Sequence, residues 1–131
     1  MLITLNQAVD LSQAHMSQQF PKLSKDNSII SKEQYLSSLK KFVSDMNMAV
    51  ADMSEQELIE RIYSECKEYG VLTKYLYDPE VEEINVNAWY DIKVRYAGKQ
   101  PISIKETFLD ERKAKAIIDK MFDGTSGVQL D

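Results

Sequence analysis

Apolar residues recur along this chain with two different periods, and the change between them falls near Gly70. Tyr35, Leu36, Leu39, Phe42, Val43, Met46 and Val50 follow an i, i+3, i+4, i+7 stripe, the spacing that gives a helix one apolar face. Ser31, followed three residues on by Gln34, has the form of a capping box, so the pattern predicts a helix over 31–52. Ser54 with Glu57 repeats that signature ahead of Leu58, Ile59, Ile62, Tyr63, Cys66 and Tyr69. Gly70 then supplies the residue that most readily takes a left-handed conformation, which predicts a helix over 55–69. Two amphipathic helices on a short connection bury their stripes best when antiparallel, so residues 31–70 are expected to form a helical hairpin. Upstream, Leu5, Ala8, Val9 and Leu11 have looser helical spacing, with Thr4 and Gln7 placed as a further capping box. The polar stretch at 17–28 contains Pro21 and reads as a linker, making 1–30 a helix plus linker.

Beyond Gly70 the period shortens to two. Val71, Leu72 and Leu76 make a short apolar turn, Asp78-Pro79 interrupts it, and Ile84 and Val86 then alternate with Asn85 and Asn87. Residues 88–91 turn the chain, Ile92, Val94 and Tyr96 alternate again, Gly98-Lys99 makes a second turn, and Ile102 with Ile104 opens a third strand. This is a three-stranded antiparallel meander over 83–104. Asp110 caps a last helix over 111–122, whose stripe is Ala114, Ile117, Ile118, Met121 and Phe122, with Gly124 at its end. That helix is expected to cover one face of the sheet. The fold class is therefore α+β: a helical lobe at 31–70 and a small α/β lobe at 71–131. The tail holds an apolar pair, Val128 and Leu130, with no partner strand or cap after it, and reads as a chain that stops within an element.

Composition narrows the function classes. With 131 residues, 44% hydrophobic and 28% charged, the chain has the balance of a folded soluble protein of one ordinary domain or two small lobes. Its net charge of -5 repels nucleic acid and anionic lipid, so a basic-patch function is disfavoured. No apolar run approaches the roughly 20 residues of a membrane-spanning helix, and Asn6, Gln7 and Asp10 interrupt the start, so no signal-peptide core is expected. The expected location is cytoplasmic. Cys66 is the single cysteine; it has no disulfide partner in the chain and no Cys or His at metal-ligand spacing, which sets zinc and redox roles aside.

The residues of hydrolytic and transfer chemistry are mostly missing. His15, the single histidine, lies in the weakest helical segment, and Cys66 falls inside an apolar stripe where a buried inert thiol is the ordinary occupant. Glu80, Glu82 and Glu83 read as a solvated acidic loop beside a Pro turn rather than a metal or acid/base site. Trp89 and Tyr90, adjacent in a turn, either expose a ring to a partner or close the sheet core. A phosphate-binding loop needs Gly-Lys-Ser or Gly-Lys-Thr at a strand-to-helix turn, and Gly98-Lys99 is followed by Gln100 in a hairpin. No catalytic residue and no metal site is expected on this chain.

Residues 69–104 resemble the segment that precedes the motor domain in type II/IV secretion ATPases, the ATPases of conjugation-like secretion, type II secretion and tight-adherence pili. The family's Asp-Pro-x-Val-x-Glu-Ile-x-Val-Asn stands as Asp78, Pro79, Val81, Glu83, Ile84, Val86 and Asn87. Its following strand, apolar-x-Val-x-x-x-Gly-Lys, stands as Ile92, Val94, Gly98 and Lys99, and Phe108 and Asp110 precede a helix as the family leads one to expect. Ala88 stands where the family usually has Gly, and the RecA-like motor with its phosphate loop is absent, which the resemblance implies to be a truncated or dissected domain. It further implies a PAS-like α/β lobe that sits against its own RecA-like motor and neighbouring subunits of a hexameric ring. ATP and Mg would be bound by the full-length parent and not by this chain. The expected partners are inner-membrane secretion or pilus components, the expected place the inner face of the cell membrane, and nucleic acid is not expected. In related ATPases an arginine three residues before a hairpin glycine reaches toward the nucleotide phosphates from this lobe. Arg95 stands three before Gly98 and is the expected phosphate contact, with Lys93 and Arg112 adding positive potential. The competing reading is a free-standing PAS-like sensor or adaptor, which a polar-lined cavity between sheet and helix would favour.

Overall fold

Four helix starts bring their own hydrogen-bond partners. In the computed structural model, which describes residues 1–19 and 31–124, Thr4 and Gln7, Ser31 and Gln34, and Ser54 and Glu57 each close a reciprocal capping box at 3.0–3.1 Å. Asp110 Oδ1 accepts from the Lys113 amide at 2.7 Å at the fourth. Each capped start leads into a helix: α1 (Leu5–Gln19), α2 (Lys32–Asp45), α3 (Glu55–Lys67) and, at the C-terminal end, α5 (Glu111–Gly124). A short turn of helix, α4 (Thr73–Leu76), follows a 3-10 turn at Gly70–Leu72. No helix among the described residues is long and apolar enough to cross a membrane.

The chain is α+β and divides into two compact units, Met1–Cys66 and Lys67–Asp131. In the first unit, α1, α2 and α3 bury Val9 and Met16, Leu39 and Val43, and Leu58 and Ile62 respectively. The rings of His15 and Phe42 stack at 4.1 Å, and Tyr35 meets Tyr63 edge-on at 5.5 Å. The helix predicted over 31–52 ends earlier, at Asp45, because Asn47 adopts a left-handed φ of 49°. The Asn47 amide then donates to Ser44 O and the Met48 amide to Val43 O, the paired bonds of a Schellman ending. Met48 is buried there, so it serves the same core without continuing the helix. The chain instead forms β2 (Ala49–Val50), which pairs in parallel with β1 (Leu2–Ile3), a two-stranded element absent from the sequence reading. Of the linker expected at 17–28, residues 17–19 belong to α1, which continues through Gln19; the remainder lies outside the described residues. The apolar pair of the tail, Val128 and Leu130, lies outside them too.

The second unit is a three-stranded antiparallel sheet, β3 (Val81–Ala88), β4 (Asp91–Tyr96) and β5 (Ile102–Ser103), in the order β3-β4-β5, packed against α5. Val71, Leu72, Ile92, Phe108, Ala114 and Ile117 form its buried core, with Ile84, Val86, Ile104 and Met121 packed around them. Helix α3 stops at Lys67 rather than Tyr69, and Gly70 takes the left-handed φ of 57° that its position calls for. Tyr69 then packs on the second core, and Glu68 O accepts from Lys120 Nζ at 2.9 Å.

Candidate functional site

Alternation along β4 turns Ile92 and Val94 into the core and Lys93 and Arg95 to the opposite face. The antiparallel register sets Ile84 beside Val94 and Val86 beside Ile92 on the apolar side. On the polar side it sets Asn85 beside Lys93 and Glu83 beside Arg95, with Ser103 across from Lys93. Helix α5 covers the apolar face, so within this unit the polar face remains uncovered by it.

Arg95 is engaged on that face. Its Nη1 donates to Glu82 Oε2 at 2.6 Å and its Nη2 to Glu83 Oε2 at 3.5 Å. Two neighbouring residues of one strand ordinarily point to opposite faces, so strict alternation would send only one of these carboxylates to Arg95. A bulge between Val81 and Glu83 removes that restriction: Val81 lies beside Tyr96 and Glu83 beside Arg95, leaving Glu82 as the extra residue. Of the acidic loop expected at Glu80, Glu82 and Glu83, Glu80 lies in the turn before β3 while Glu82 and Glu83 belong to its start, with both carboxylates committed to one guanidinium. They raise the Arg95 pKa further, Glu82 more than Glu83. Of the three cations expected to contribute positive potential, Lys93 and Arg95 share this strand face. Lys93 is exposed beside Arg95, whereas Arg112 belongs to the first turn of α5, in the layer that covers the apolar side.

The remaining sequence candidates fall into place around this hairpin or away from it. The β3–β4 turn consists of Trp89 and Tyr90, neither at positive φ, with a second register shift between Val86 and Ala88. Ala88 therefore replaces the expected Gly without a left-handed residue in the turn. The Trp89 carbonyl accepts from the Phe108 amide at 3.0 Å, and the two rings meet edge-on at 5.3 Å with Trp89 36% and Tyr90 65% exposed. Trp89 thus remains at the surface and does not close the core. Gly98 sits in its hairpin turn at a φ of 71°. Cys66 is half-buried and forms no disulfide, and its thiol lies beside Tyr35, whose hydroxyl is pushed up first by burial and then by that thiol.

One cluster has no signal in the sequence. Glu106, in the loop before α5, accepts from Lys74 Nζ at 2.6 Å and from the Tyr75 hydroxyl at 3.0 Å, drawing its carboxyl down to about 2. Its partners lie on α4, some thirty residues earlier, and no periodicity links the two segments. Among the described residues no three His, Cys, Asp or Glu side chains gather as a metal site. No protein-family model matches the chain, and no curated protein matches it.

Proposed function

We propose that this chain is the non-catalytic N-terminal region of a secretion or pilus-assembly ATPase. In this reading its second unit packs on a RecA-like motor at the inner face of the cell membrane and couples ATP binding to ring motion and partner contacts. The observation that carries the reading is the hairpin of residues 78–99, where the resemblance is densest. Its Ile84, Val86, Ile92 and Val94 line the apolar side, and its Lys93 and Arg95 stand together on the other. An all-apolar contact between sheet and helix supports a rigid lobe over a small-ligand sensor, since a sensor needs polar groups converging between those layers.

Arg95 has the chemistry for a nucleotide phosphate: a planar, permanently charged fork that pairs bidentately with oxyanions. Glu82 and Glu83 hold the same donors, so a phosphate contact requires their release. The role of the chain's own residues is to present that fork from a braced strand at the edge of a motor that supplies the hydrolytic groups. Reading the coding sequence past Asp131 for a phosphate loop tests the parentage. In rings of the full-length protein, Arg95→Ala is expected to leave assembly intact and slow ATP turnover about a hundredfold, the effect of deleting one contact that strengthens toward the transition state. Turnover at the parental rate would remove Arg95 from the mechanism.

A further inference from the structure

The bulge at the start of β3 gives Arg95 two carboxylates where a regular strand would give it one, and that excess points to a function. We infer that Glu82 and Glu83 form an acidic clasp that occupies the Arg95 guanidinium in place of phosphate oxygens and sets the threshold for anion binding on this sheet face. The inference rests on the reading of Arg95 as a phosphate contact and adds the regulation of that site.

Three features of the geometry carry it. First, the clasp uses both terminal nitrogens: Nη1 meets Glu82 and Nη2 meets Glu83, the two-point pairing that a phosphate would require from the same fork. Second, the positive charge is cancelled at the site, because two carboxylates offset the charges of Arg95 and Lys93 and hold carboxylate oxygens where an arriving polyanion would bind until one withdraws. Third, the clasp is releasable. All three side chains are solvent-accessible, at 31% for Arg95, 48% for Glu82 and 52% for Glu83, and exposed ion pairs are weak enough to exchange partners. Lys93, exposed two residues earlier on the same face of the strand, is the second cation that a multiply charged phosphate chain would reach once Arg95 is freed. Glu82 and Glu83 are thereby positioning residues, acting on the anion only through Arg95.

The test titrates inorganic tripolyphosphate into the chain itself at low salt, with binding followed by NMR through the β3–β4 amides and the Arg95 side-chain N–H. Glu82→Gln with Glu83→Gln is expected to tighten binding about tenfold or more over the parent chain, and Glu82→Gln alone by a smaller factor. Adding Arg95→Ala to the double variant is expected to abolish the gain. Glu60→Gln with Asp119→Asn changes the net charge equally at exposed positions elsewhere and is expected to leave binding near the parental value. The amide spectrum of β3 and β4 reports whether each variant keeps the sheet, and Glu82→Gln alone serves if the pair does not. The clasp is overturned if neutralising the carboxylates leaves binding unchanged, if the Glu60 and Asp119 pair tightens it equally, or if the gain survives loss of Arg95. Parental turnover by full-length Arg95→Ala rings would overturn the functional reading while leaving a tightened clasp variant as an anion gate of another kind.

Discussion

Glu106 draws two donors from α4, the Lys74 ammonium and the Tyr75 hydroxyl, and its carboxyl falls from 4.5 to about 2, with the Lys74 bond the largest cause. A group whose folded pKa is depressed stabilises the fold above its unfolded value and loses that contribution as pH falls through the folded one. The stabilisation is therefore complete above about pH 4.5 and disappears toward pH 2. Because Glu106 is about a third exposed, solvent screening keeps the effect small, and Glu106→Gln is expected to cost about 0.5–1 kcal/mol at neutral pH. Urea midpoints followed from pH 7 to pH 2 check this: the parent should lose more stability across the acid limb than the variant, and parallel curves would dissolve the assignment. The resemblance singled out Arg95 and the alternation of β4 set Lys93 on the same face, but nothing in the sequence signalled the Glu106 cluster or the partners of Arg95. Alternation tells which face a side chain takes only while the strand is regular, and the bulge that turns Glu82 toward Arg95 suspends it.

Elements were most legible where their starts are encoded by a short polar pair. Thr4-Gln7, Ser31-Gln34 and Ser54-Glu57 each form the boxes their spacing calls for, because such caps depend on residues three apart and on nothing distant. Ends were harder to read. The apolar stripe runs on through Met46 and Val50, yet α2 stops at Asp45, since burial of Met48 and the left-handed Asn47 satisfy the last carbonyls another way. Asparagine tolerates that conformation better than residues with an unfunctionalised Cβ branch, and the left-handed region costs an L-residue roughly 1–2 kcal/mol. Asn47→Ala is accordingly expected to destabilise the chain by about 1 kcal/mol and Asn47→Gly to be near neutral. Denaturant unfolding of the two variants discriminates: equal losses would mean that the asparagine side chain, rather than its φ, is what matters.

At the scale of the whole molecule, the change of period near Gly70 separated a helical region from a sheet region, and contacts place the division at Cys66 and Lys67. The difference arises because a glycine marks where a helix stops, whereas Glu68 and Tyr69 already bond and pack with the second unit. The parallel pair β1–β2 had no such marker, since two-residue strands carry no readable alternation. That pair also determines when parts of the first unit become native. Leu2 lies beside Ala49 and Ile3 beside Val50, the Met1 ammonium donates to Asn47 O at 2.5 Å, and the Ala49 amide donates to Met1 O at 2.8 Å. Bringing together residues nearly fifty positions apart costs loop-closure entropy that grows with the logarithm of the separation, while a capped helix closes over four residues at a time. The helices are thus expected to form by the folding barrier and the strand pair after it. In stopped-flow measurements, Ile3→Ala should leave the refolding rate close to that of the parent and speed unfolding, so the first three residues act as a latch whose loss shortens the lifetime of the native state without delaying its arrival.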